Sequence, residues 1–167
     1  MKRRPVLIVI CFILILALSQ LFTSYYNFKT NQVVHSSTKD VELYLESIVY
    51  ESENLSDFVD FEWDTVHVIG PYTPNKHKHE TVGDIWYTNS SYFGYLIDKY
   101  IFYSGEILSD EFQELVFTDH GKVVSTALLL RSYGDFLHND QRVYSNSDAN
   151  FIIEIDEYSY KRVEHVN

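Results

Sequence analysis

The sequence predicts an α+β protein: a mainly antiparallel sheet of about four strands with two or three helices on one face, preceded by an N-terminal apolar membrane segment. Three observations lead there. Lys2, Arg3 and Arg4 stand before an unbroken apolar run from Val6 to Leu18. Val41, Tyr44, Leu45, Ile48 and Val49 recur at three- and four-residue spacing, which is a helical stripe. Two β-rich runs, Phe112 to Thr118 and Lys122 to Leu130, flank Asp119-His120-Gly121, a hairpin loop with glycine available for positive φ. Helices that cover one face of an antiparallel sheet bury their stripes most simply.

The chain has 167 residues, room for one compact domain and an appendage. The appendage is the basic tip at 1–5 and the apolar segment at 6–26, laid out like a secretory n-region and h-region. Basic residues stay on the cytoplasmic side, so the expected location is a single pass of the cytoplasmic membrane, N-terminus inside and domain outside. Two fates are open for the segment. Continued to Tyr26 it is long enough for a ~30 Å hydrocarbon core, with Tyr25 and Tyr26 as interfacial aromatics, and it acts as a signal anchor. Alternatively, Ala17-Leu18-Ser19 offers the small residues a signal peptidase reads, and cleavage after Ser19 gives a secreted protein. Cys11 follows Ile10 in mid-run, which does not fit a lipoprotein acylation site.

All 24 Asp and Glu lie beyond Thr30, whereas four of the 13 Lys and Arg precede it, so the downstream part carries −15 formally against −11 for the whole chain. Such a charge repels nucleic acid and draws basic polypeptides and cations. The single cysteine, Cys11, lies within the apolar run, so the domain folds without disulfides and holds no thiol nucleophile.

Polar residues 27–37 read as a tether to an acidic extracytoplasmic domain at 38–167. Ser37 is a candidate N-cap, and the stripe predicts a helix over 38–53. Trp63 to Ile69 is β-rich and is stopped by Gly70-Pro71, because proline lacks the N–H a ladder needs. Thr73-Pro74 reads as N-cap and first residue of a short helix ending near Gly83. Residues 86–108 fit a helix or a strand. Phe151 to Ile155 predicts a last strand before a charged tail. About 130 residues bury a self-sufficient core without a metal staple.

The run Trp63-Asp64-Thr65-Val66-His67-Val68-Ile69-Gly70-Pro71-Tyr72 resembles a W-D-x-V-x-V-x-G-P-Y segment of small uncharacterised exported or membrane-anchored bacterial proteins. In that pattern a helix, a hairpin with a D-x-G-K turn and a G-D-F segment follow. Asp119-His120-Gly121-Lys122 and Gly134-Asp135-Phe136 are similar to those later pieces, so the resemblance covers residues 60–155. It implies a shared fold and export, and no activity or catalytic residue comes with it.

Candidate sites are few. His77, His79 and Glu80 have donors zinc accepts, but on a helix the two imidazoles point about 200° apart and cannot chelate together. Glu62 and Asp64 flank Trp63 as a carboxylate pair flanks a sugar, yet on a strand both face water while the indole turns inward. Arg131 and Asp135 read as an ion pair. Tyr92, Tyr95, Tyr100 and Tyr103 crowd one stretch and, with Tyr72, are candidate binding residues, since tyrosine is enriched at interfaces. No catalytic residue, cofactor or metal is expected. The reading is a non-catalytic, membrane-tethered extracytoplasmic module that binds or inhibits another exported protein or a cell-envelope component. Its alternatives are a divalent-metal-dependent hydrolase and a structural or regulatory subunit of a membrane complex.

Overall fold

The computed structural model describes residues 3–49, 51–102 and 109–166. The apolar run opens α1, Arg3–Thr30, a single helix long and apolar enough to cross a membrane. Its side chains from Ile8 to Phe22 are exposed, and none of them is buried by the other described residues. The next helix, α2 (Thr38–Ser47), buries Val41, Tyr44 and Leu45, the expected stripe. It stops well before residue 53. The Tyr44 hydroxyl donates to the Glu53 carbonyl at 2.8 Å, and the Ser47 hydroxyl lies 2.6 Å from a Glu53 carboxylate oxygen, which folds the following chain back onto the helix. Ser37 precedes α2 but does not cap it with its side chain; its hydroxyl meets Ser125 in the core instead.

Among the described residues, seven strands build two antiparallel sheets. β1 (Glu53–Asn54), β6 (Asn150–Ile155) and β7 (Lys161–His165) form one in the order β1-β6-β7. β2 (Thr65–Ile69), β3 (Phe112–Asp119), β4 (Lys122–Leu130) and β5 (Val143–Ser145) form the other in the order β4-β3-β2-β5. The α+β class and the four-stranded antiparallel sheet are those the sequence predicts; the second sheet is additional. Its β7 is the stretch read as a charged tail. Only Val163 is buried there, and the strand exists because its backbone pairs with β6 on one side and with Asp135 on the other.

The β3–β4 hairpin turns through His120 and Gly121, both at positive φ, with Asp119 paired to Lys122. That is the mirror-image turn whose twist suits flanking strands. One face of the four-stranded sheet, with Val66, Val68, Leu115, Phe117, Ala127 and Leu129, packs on α2 and the second sheet. The reverse face carries Ile69, Val116 and Val123 against Val82 and Trp86. Helices therefore lie on both faces, because β2 is buried from Val66 to Ile69 without alternation. Val82 belongs to α3, Asn75–Val82, whose N-cap is Pro74, one residue later than Thr73-Pro74 suggests; the Thr73 hydroxyl bonds the Gly70 carbonyl instead. Gly83 ends α3 in the left-handed conformation.

Of residues 86–108, the helical alternative holds over 92–102, where α4 (Tyr92–Ile97) runs into a turn of π-helix, Asp98–Phe102; residues 86–91 are irregular apart from a bridge between Tyr87 and Gln32. Ser91 caps α4 by accepting from the Gly94 N–H.

Candidate functional site

The crowded aromatics have a use inside the molecule. Phe28, on the last turn of α1, is fully buried. Its ring meets Tyr95 at 5.3 Å, Tyr92 at 5.7 Å and Tyr87 at 6.2 Å. One helical turn earlier, Tyr25 meets Tyr92 edge-on at 5.3 Å. Tyr87 and Tyr95 close the cluster at 4.6 Å. Edge-on and tilted pairs at these distances contribute about 0.5–1.5 kcal/mol each beyond the area they bury. α4 thus clamps the end of α1.

The polypeptide that follows is seated too. The Val33 N–H donates to the Tyr87 carbonyl at 2.9 Å, and the Tyr87 N–H returns a bond to the Asn31 carbonyl. The Ser37 N–H donates to Thr126 on the outer edge of β4. Residues 27–37, read as a tether, are laid along the domain and cover that edge strand. Phe28 and Val33, apolar residues inside a polar stretch, were the signal in the sequence.

A polar groove of about 340 Å³ opens beside the clamp. Ser19, Thr23 and Asn27 line it from α1, and Tyr87, Tyr95 and Lys99 from the domain. The Lys99 ammonium donates to the Tyr95 hydroxyl at 3.0 Å and lies 5.3 Å from the Tyr95 and Tyr100 ring centres. Partial burial raises the Tyr95 phenol, but the Lys99 ammonium and the Tyr87 hydroxyl outweigh it and bring it below its ordinary range. The same hydrogen bond raises Lys99, which stays cationic.

The structure divides the candidate tyrosines. Tyr92 and Tyr95 are committed to the clamp, whereas Tyr100 is exposed at its edge. Tyr72 stands on the turn between β2 and α3 at positive φ, with its hydroxyl bonded to Asp110, which raises its pKa. Tyr103 lies outside the described residues. His77 and His79 diverge as helical geometry requires: His77 faces Glu80 at 3.8 Å, and His79 stands edge-on to Trp86 at 4.9 Å. Among the described residues, donor atoms come within 4.8 Å of one another in His35/Asp40/Asp60 and Asp64/Asp119/His120, neither of which includes that trio. Asp64 is already engaged: its carboxylate accepts from the His120 N–H at 2.8 Å and from Thr118. Slight desolvation raises its pKa, and these hydrogen bonds together bring it below the usual range.

Two buried polar groups escape a reading of sequence. Lys78, on the inward side of α3, places its ammonium 2.8 Å from Glu114 of β3, with side-chain exposures of 5% and 11%. Gln113, wholly buried, donates to the Gly134 carbonyl and accepts from the Phe136 N–H at 3.1 Å. A Cβ on Gly134 would sit 2.8 Å from a Val163 methyl and 3.0 Å from a Leu45 methyl, so any larger residue would have to displace these buried side chains.

Compared with protein-family models, curated proteins and solved structures, the chain matches none. The motif residues at 63–72, 119–122 and 134–136 each have a structural duty here. Trp63, Val66 and Val68 are core, Asp64 ties the start of β2 to the hairpin turn, and Asp135 accepts from the Leu137 N–H and pairs with Arg131.

Proposed function

We propose that the chain is a single-pass membrane protein that presents its acidic domain on the extracytoplasmic side as a non-catalytic module, binding or inhibiting another exported protein or cell-envelope component. One observation carries the reading: the domain is built around the end of its own apolar helix, with Phe28 buried among Tyr87, Tyr92 and Tyr95. α1 is continuous from Arg3 to Thr30, so the seated end and the apolar span are one helix. Lys2, Arg3 and Arg4 favour the cytoplasmic side for the N-terminus. The binding role draws on the domain's charge, suited to a basic polypeptide partner, and on side chains whose polar groups are spent on the fold.

Protease added to intact spheroplasts tests the topology. The domain is expected to be digested, and the undigested protein to have the full 19.7 kDa mass. A protected cytosolic protein refutes the topology, and a mass lacking residues 1–19 refutes the anchor. Crosslinking in native membranes tests the module: a stoichiometric exported or envelope protein is expected, and a chain that stays alone refutes it.

A further inference from the structure

The contact between α1 and α4 fixes more than orientation. A hydrocarbon core of ~30 Å takes about 20 helical residues at 1.5 Å each. Counted from Val6, the first residue of the apolar run, it ends at about Tyr25. The Tyr92 hydroxyl reaches the Leu21 carbonyl at 3.4 Å, four residues inside that limit. At the far end of the same segment, Lys99 shares a groove with Ser19 and Thr23. Tyr92 at one end thus touches α1, and Lys99 at the other lines a groove with it, at residues about 3–9 Å inside the outer boundary of the core. Whatever this segment exposes there meets lipid and headgroups.

What it exposes is apolar. Phe93 is 72% exposed, Tyr100 67% and Ile101 67%. Phe93 stands on α4, and Tyr100 and Ile101 on the π turn that continues it, while Tyr92 and Tyr95 turn toward α1. Composition gives a second, independent observation. Residues 85–97 contain no Asp, Glu, Lys, Arg or His, in a chain with 24 acidic residues. A charge-free stretch is what an acidic domain needs where it approaches anionic headgroups. Two charges follow: Asp98, half-buried and accepting from the Asn89 amide, and the exposed Lys99, a cation of the kind that meets phosphates at an interface.

We propose that α4 and its π turn form a second membrane contact, a foot that sinks Phe93, Tyr100 and Ile101 into the boundary between headgroups and acyl chains beside the span. The occupant of this face is the bilayer. The foot rests on the reading of α1 as membrane-spanning, and the test separates the two.

The full chain, with Cys11→Ser removing its only thiol, is reconstituted into phosphatidylcholine vesicles. Single cysteines at Leu14→Cys, Phe93→Cys, Ile101→Cys and Tyr158→Cys carry an environment-sensitive fluorophore. All four positions are exposed in the folded chain, so labelling leaves the core intact. Phosphatidylcholine spin-labelled on the acyl chain serves as quencher. The expected result is blue-shifted, quenched emission at 14, 93 and 101, with a water-like, unquenched signal at 158 on the β6–β7 turn. Quenching at 14 with water-like signals at 93 and 101 overturns the foot and spares the anchor. A water-like signal at 14 overturns both. Quenching at 158 equal to that at 93 overturns the foot as well, because the domain would then be buried without a preferred face.

Discussion

Replacing Lys78 by Met isolates the Glu114 carboxylate on the reverse face of the four-stranded sheet. The ammonium and a carboxylate oxygen are 2.8 Å apart, on side chains 5% and 11% exposed. At an effective dielectric of about 20, that separation gives about 6 kcal/mol of attraction. Desolvating the two ions costs several kcal/mol each, so the intact pair contributes little net stability. Losing one partner is another matter, because the remaining charge keeps its desolvation cost and loses its counter-ion. Lys78→Met and Glu114→Leu should each destabilise by about 3–5 kcal/mol, a large part of the roughly 5–15 kcal/mol available to a domain. The double variant should recover most of that loss. Urea unfolding of the four proteins, detergent-solubilised and followed by tryptophan emission, closes the cycle; Trp86 lies on the same face and reports it directly. Single losses under about 1 kcal/mol, the range of exposed pairs, would show that water reaches the pair and that the argument from burial is wrong.

Trp63→Ala should cost about 3–5 kcal/mol, since the buried indole packs edge-on to Phe117 at 5.3 Å, whereas the exposed Glu62→Ala should stay within about 0.5 kcal/mol. Thermal melts compare them, and a stable Trp63→Ala protein would contradict the core placement. Burial holds the His67 and His79 imidazoles below their ordinary pKa, Asp64 opposing the shift at His67 and the Trp86 backbone, Asp84 and Glu114 opposing it at His79. The unfolded chain therefore takes up protons first: stability is full above about pH 6.5 and declines as pH falls toward the folded values. Melting midpoints from pH 8 to pH 5 should fall on the acid side, His67→Leu should flatten the fall, and an unchanged slope in that variant would refute the assignment.

Local signals were legible and distant pairings were not. The α2 stripe, the proline stop after β2 and the Asp119-to-Lys122 turn each depend on neighbours in sequence, so periodicity and turn chemistry reveal them. β5 and β7 are short, carry one buried side chain each, and form because β2 and β6 offer edges from far along the chain. Lys78 looks like one more charge on a polar helix until Glu114 arrives from 36 residues away. The candidate site was half visible: the tyrosines of 92–103 stood out by density, but their partner Phe28 sits in a stretch whose polarity suggests a spacer. Tyr87, one turn of chain earlier, showed no pattern that marks it as the base of the clamp.

The seating of residues 27–37 has a mechanical consequence. As a free coil, that length of chain would let the domain drift roughly 18 Å from its exit point. Laid against Tyr87 and Thr126 instead, it leaves no slack between domain and helix. With α1 in a bilayer, the domain's height and heading are set by the helix, and a partner that tilts or twists the domain applies that torque directly to the span. The molecule is then a lever as much as a tether, and a load on its outer end is felt at its basic tip.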